Sequence, residues 1–167
     1  MPVIIVEGID GSGKSTLVDS LESMIPDNYH VLRMHRGPIQ DTVENEYIEP
    51  LTSLSSNQFL LADRWHVGEM IYGPIYRGES LVSGLYENLI ESYLDSIGAV
   101  KIILQPDISE VRQRLADRGE DYLLEEHVEE VYKFYGQYAD KHNYLVVLDN
   151  DYVDVDEIIE MAMEGRK

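Results

Sequence analysis

Residues 3 to 16 read Val-Ile-Ile-Val-Glu-Gly-Ile-Asp-Gly-Ser-Gly-Lys-Ser-Thr, an apolar run that passes into a glycine-rich turn ending in Lys14, Ser15 and Thr16. Gly8 and Gly13 bracket four residues ahead of Lys14 and Ser15, which satisfies G-x-x-x-x-G-K-[ST] with a strand pattern before it and a helical pattern after it. Glycines allow backbone conformations that a Cβ blocks, so successive N–H groups can turn inward around a phosphate. The helix that follows aims its positive end at the same point, Lys14 is placed to reach β- and γ-phosphates, and the Ser15 hydroxyl is a Mg2+ ligand type. Asp10, inside the turn, is placed to hold a metal-bound water.

The rest of the chain reads as alternating strands and helices. Leu17, Val18, Leu21, Met24 and Ile25 recur at helical spacing before Pro26, and residues 29–34 form a second strand that turns at His35-Arg36-Gly37-Pro38. Residues 39–57 are polar and acidic, expected as one or two short helices broken at Pro50. Residues 59–62 make a third strand ending in Asp63-Arg64-Trp65-His66, and residues 64–80, with Gly, Tyr and Arg in place of simple periodicity, read as a site wall. Leu85 to Ile97 form a helix closed by Gly98, residues 99–104 a fourth strand, and Asp107 with Glu110 a capping box. The helix that it opens carries Arg114 and Arg118 one turn apart, and 119–124 interrupts the pattern. Residues 144–148 give a fifth strand, Asp149-Asn150-Asp151 a turn, and Val155 to Ala162 the last helix. This alternation implies a parallel sheet with right-handed crossovers, covered on both faces: one three-layer α/β domain over 1–167.

Charge narrows the ligand. A formal charge of −19 argues against gripping polymeric nucleic acid by phosphate neutralisation. Only 13 Lys and Arg are present, and Lys14, Arg36, Arg64, Arg77, Arg112, Arg114 and Arg118 fall in or beside segments expected near the turn. Base at the site and acid elsewhere suits a small anion. The absence of cysteine fits a reducing cytoplasm, no run approaches membrane-spanning length, and Met1-Pro2 leads directly into the first strand, so a soluble cytoplasmic protein is expected.

Asp63 follows an apolar strand, where a second acidic group holds Mg2+ opposite the hydroxyl of the turn. Arg64 beside it is suited to fork onto the phosphate of a second substrate, with Arg36 and Arg77 as further contacts. Trp65, Tyr72 and Tyr76 are candidates to stack on a base. His66 has no partner evident from sequence and reads as structural.

At this point the chain resembles the thymidylate kinases: Glu7 to Thr16 looks like their phosphate loop, Asp63-Arg64-Trp65 like their Asp-Arg-Tyr/His motif, Arg114 and Arg118 like their lid arginines, and Asp149 like the adenine-side loop. Residues 68–78 resemble short viral thymidylate kinase-like proteins, which adds a virus-infected cell as a setting. The resemblance implies a P-loop kinase fold, with strand order 2-3-1-4-5 and a lid over about 112–126. It implies ATP and Mg2+ as cofactors, and transfer of the γ-phosphoryl group to a deoxynucleoside monophosphate, dTMP first. Lys14, Asp10, Arg64, Arg114 and Arg118 would be catalytic. Gly8, Asp10, Gly11, Ser12, Gly13, Lys14, Ser15, Thr16, Arg114 and Asp149 would hold ATP. Asp10, Arg36, Asp63, Arg64, Trp65, Tyr72 and Arg77 would hold the acceptor, and Ser15, Asp10 and Asp63 the metal.

Some family members carry an Arg in the loop, where this chain has Gly11 and Ser12. The lid arginines then take that role, and an Arg replacing Gly11 is expected to share it. The helix that brings a Phe and an Arg against thymine is not found between Arg36 and Phe59. A deoxynucleoside kinase is the alternative, but His35-Arg36 stands where its carboxylate base is expected. A kinase of modified bases in DNA is disfavoured by charge. A nucleotide switch lacks the guanine-selecting Asn-Lys-x-Asp and would leave the arginines without a purpose. The expected partners are small-molecule nucleotides, with a homodimer as the one association to consider.

Overall fold

The computed structural model describes residues 1–37, 39–119, 123–149 and 153–165. Its centre is a parallel sheet of five strands, β1 (Val3–Gly8), β2 (His30–His35), β3 (Gln58–Asp63), β4 (Val100–Leu104) and β5 (Leu145–Val147), in the order β2-β3-β1-β4-β5. Every residue of β1 and β4 is buried, as expected for central strands covered on both faces. The outer strands β2 and β5 are more polar or more exposed.

Side chains alternate between the two faces. Ile4, Val6, Phe59, Leu61, Ile102 and Leu104 pack against Leu17, Val18 and Leu21 of α1 (Lys14–Met24) and Ile158, Ile159 and Ala162 of α7 (Val155–Glu164). Val3, Ile5, Leu60 and Ala62 pack against Leu51 of α2 (Glu49–Thr52) and Ile90 and Leu94 of α4 (Gly84–Ser96). Ile103 joins α3 (His66–Arg77), α5 (Ile108–Arg118) and α6 (Glu125–His142) through Val67, Ile71, Val111, Leu115, Val131 and Tyr135. The expected three layers and strand order are therefore present.

Three local expectations change. Residues 64–80 contain a 12-residue helix, α3. Val67, Met70, Ile71 and Ile75 sit at helical spacing, but Gly68, Gly73 and Pro74 hide the stripe in the sequence. Pro50 does not break a helix: a π-helical turn, Glu44–Ile48, runs into α2, and Pro50 sits in the first turn of α2, where its missing N–H has no intrahelical partner to lose. Asp107 caps α5 by accepting the Ser109 N–H at 2.8 Å, while Glu110 pairs with Arg114 instead of closing a capping box. Pro38, residues 120–122 of the expected break and residues 150–151 of the last turn lie outside the described residues.

Candidate active site

The loop between β1 and α1 has the backbone its glycines predict. Gly8 has φ +141°, and a Cβ there would lie 2.6 Å from the Leu104 carbonyl of the neighbouring strand, so only glycine fits. Lys14 is buried and donates from Nζ to the Ile9 carbonyl at 2.7 Å, back into its own loop. Burial, then the neighbouring Arg64, lowers its pKa to about 7, against the pull of Asp10, Asp63 and Glu7. The buried Ser12 hydroxyl has no hydrogen-bond partner among the described residues, an orphan that a phosphate oxygen would satisfy. Thr16 follows on the exposed side of α1.

Asp63 ends β3 beside this loop. Its Oδ2 accepts from Ser15 Oγ at 3.2 Å and lies 3.3 Å from His35 Nδ1, while Oδ1 is buried without a partner among the described residues. A hydroxyl and a carboxylate with a spare oxygen, side by side at a phosphate loop, fit Mg2+, which takes one or two protein oxygens and completes its shell with water and phosphate. Among the described residues no group of three or more His, Cys, Asp or Glu side chains could hold a metal unaided. Asp10, the third metal candidate, is committed elsewhere: its carboxylate pairs with the Arg64 guanidinium.

That pair marks the edge of a pocket of about 200 Å3, lined by Asp10, His35, Arg36, Gly37, Arg64, Trp65, Gly68, Glu69, Tyr72 and Arg77. The ends of β2 and β3 and the inner face of α3 build it, at the carboxyl edge of the sheet where open α/β folds place ligands. Each of its arginines meets a carboxylate: Arg36 with Glu46 at 2.7 Å, Arg64 with Asp10, and Arg77 with Glu69. Trp65 is a buried wall more than an open stacking platform, because Arg36 sits 5.1 Å from its ring centroid and Tyr47 meets it edge-on. Tyr72 and Tyr76 stack on each other, with ring centroids 6.3 Å apart, and the Tyr72 hydroxyl accepts the Asp10 N–H.

Arg114 reaches the loop, donating to the Gly11 carbonyl at 3.3 Å. Arg118 is exposed in the last turn of α5, one turn further from the loop. Arg112 is held by Glu125 at 2.9 Å and ties α5 to α6. Gly11 has φ +79°, and a Cβ there would come within 3.3 Å of Leu115. An Arg at position 11 is thus strained in backbone and crowded by α5, contrary to the expectation that it could share the lid's role. Asp149 lines an exposed groove with Leu148, Val153 and Asp154 beside β5.

Sequence reasoning missed three residues. Glu69 is buried in the pocket wall, where it pairs with Arg77 and accepts the Leu81 N–H at 3.1 Å. Glu46 neutralises Arg36 from the π-helical turn. Glu7, wholly buried, accepts the Trp65 N–H at 2.7 Å and the Val67 N–H at 3.2 Å. Burial raises its pKa, opposed by His66, the Trp65 N–H, Arg64 and Lys14. A carboxylate inside an otherwise apolar strand was the available signal. His66 is structural as expected, wholly buried, with Nε2 3.1 Å from both Tyr138 Oη and Glu91 Oε1.

No protein-family model and no curated protein matches the chain. Solved structures do: it covers 97% of its length against 94% of the YorR protein of Bacillus subtilis in complex with phosphorylated GDP, with TM-score 0.66 and 20% identity. A deoxyadenosine kinase from M. mycoides with bound dATP matches over 98% of both chains, with TM-score 0.52 and 17% identity. At these identities the likeness is one of fold, the P-loop kinase fold. No helix among the described residues is long and apolar enough to cross a membrane.

Proposed function

We propose that the chain transfers the γ-phosphoryl group of ATP to a deoxynucleoside monophosphate, dTMP first among them, giving the diphosphate. The observation that carries this reading is the pocket beside the loop, walled by Arg36, Arg64 and Arg77. Three guanidiniums suit an acceptor that arrives with its own charged phosphate, and such an acceptor needs no base to ionise it. The pocket's carboxylates, Asp10 and Glu69, are ion-paired with arginines, and His35-Arg36 ends β2.

The loop N–H groups and Lys14 would hold the β- and γ-phosphates, Arg64 would hold the acceptor phosphate in line, and Arg114 and Arg118 would cover the charge that spreads over the moving group. Ser15 and Asp63 would ligate Mg2+, which would supply charge neutralisation at the transferring phosphate. Asp149 would flank the adenine.

A nucleoside acceptor is the second reading, supported by Asp10: once parted from Arg64, it is a carboxylate at the pocket's edge. Release of ADP from ATP and Mg2+, measured with a panel of deoxynucleosides and their monophosphates, tests both. Turnover that depends on a monophosphate supports the proposal, turnover with nucleosides alone moves it to the second reading, and acceptor-independent hydrolysis overturns it in favour of a nucleotide switch.

A further inference from the structure

Arg64 has φ +67°, in the left-handed region that side-chain-bearing residues avoid. Such a conformation persists only where its surroundings over-determine it, and the residues that do so belong to β1. The Val6 carbonyl accepts the Arg64 N–H at 2.9 Å, and Glu7 Oε1 accepts the next N–H, of Trp65, at 2.7 Å and that of Val67 at 3.2 Å. The other oxygen of Glu7 lies 3.5 Å from the Tyr135 hydroxyl. The Arg64 stem passes over Gly68, where a Cβ would stand 3.5 Å from Arg64 Cδ, and its guanidinium ends on Asp10. A closed circuit results, from β1 through the loop to Asp10, across the Arg64 side chain, and back through residues 64–67 to Glu7.

We propose that Glu7 is a positioning residue for Arg64: its buried carboxylate, together with the Val6 carbonyl, pins the left-handed turn that aims the guanidinium across the phosphate loop. The first turn of α3 leaves its N–H groups to be satisfied from outside the helix, and here the acceptor comes from the strand that leads into the loop. The direction of Arg64 is thereby set relative to the phosphates and not merely to its own helix. The effect on the acceptor rests on the kinase reading above, while the effect on Arg64 itself does not.

The test uses arginine Nε–H NMR signals of the full chain, with Arg64 identified by its loss in Arg64→Lys, alongside the KM values for dTMP and ATP. In Glu7→Val the Arg64 signal should shift while that of Arg33, ion-paired with Asp19 and Glu22 on the far side of the sheet, stays in place. The acceptor KM should rise about tenfold or more, with the ATP KM within about twofold of wild type. Glu7→Gln, which keeps an oxygen for both N–H groups, should restore the Arg64 signal and the acceptor KM. If Glu7→Val does not fold, Glu7→Asp, one methylene shorter, should shift the same signal and the same KM by a smaller amount. An unmoved Arg64 signal in a folded variant, or KM values that rise together for both substrates, would overturn the proposal. If the wild-type protein phosphorylates no monophosphate, the kinase reading fails and the Arg64 signal still decides the role of Glu7.

Discussion

The Lys14 ammonium is hydrogen-bonded to the carbonyl of Ile9, five residues back in its own loop, at 2.7 Å. The backbone holds this charge in a setting that lowers its pKa to about 7. Lys14→Ala should reduce kcat by about 10²- to 10³-fold, because charge that develops in transfer loses its nearest cation. Lys14→Met should also raise the melting temperature near pH 6. A group whose folded pKa lies below its unfolded value destabilises the fold wherever it must stay charged. Thermal unfolding and steady-state kinetics on the same two proteins check both outcomes.

Arg64→Lys keeps a positive charge but loses the planar fork. The acceptor KM should rise about tenfold or more and the ATP KM should change little. Equal rises for the two substrates would place Arg64 on the donor side.

If Arg114 and Arg118 act only in the closed transition state, Arg114→Ala and Arg118→Ala should each lower kcat by about tenfold or more with unchanged ATP affinity. Gly11→Arg added to either variant should not restore the rate, and it should lower stability, because residue 11 has φ +79° and faces Leu115. Normal kcat in both alanine variants would return these arginines to a solvated helix face.

Asp63→Asn removes the charge opposite Ser15, with which it shares a 3.2 Å hydrogen bond. The Mg2+ concentration for half-maximal rate should increase about tenfold, while binding of ATP without metal should stay near wild type. A Mg2+ curve that does not move would remove Asp63 from the metal.

Glu91 supplies a pH-dependent part of the stability. Burial alone would raise its pKa, but His66 and Lys101, by hydrogen bond and charge, hold it at about 2. A folded pKa below the unfolded 4.5 contributes stability that is complete above about pH 4.5 and is lost as pH falls toward 2. Glu91→Gln should therefore cost roughly 2–3 kcal/mol at pH 7 and clearly less at pH 3, read as the difference from wild type in urea unfolding at each pH.

What could be read from the sequence was what is local in it. The phosphate loop and Asp63-Arg64 are each contiguous, the strands around them are apolar runs, and the sheet order implied by the resemblance is found in the structure. Helix α3 was not legible, because Gly68, Gly73 and Pro74 interrupt the three- and four-residue apolar recurrence that announces a helix, while tertiary packing through Val67 and Ile71 holds it. The role of Glu7 was hidden by distance, since the N–H groups that it accepts lie 58 and 60 residues further on. The pairings of Arg36 with Glu46 and Arg77 with Glu69 depend on where the π-helical turn and α3 place their side chains, which no spacing in the sequence reveals.

The three ion pairs at the pocket make a locally balanced site inside a strongly acidic molecule. A phosphate entering this pocket would compete with Glu46, Asp10 and Glu69 for guanidiniums that already have an anion. Its net gain is the difference between two charge pairings, which is small for any monovalent carboxylate and larger for a dianion that can engage two forks at once. A site that binds phosphate in this way should discriminate against small monocarboxylates by exchange, and its dependence on salt should be shallower than its three arginines alone would suggest.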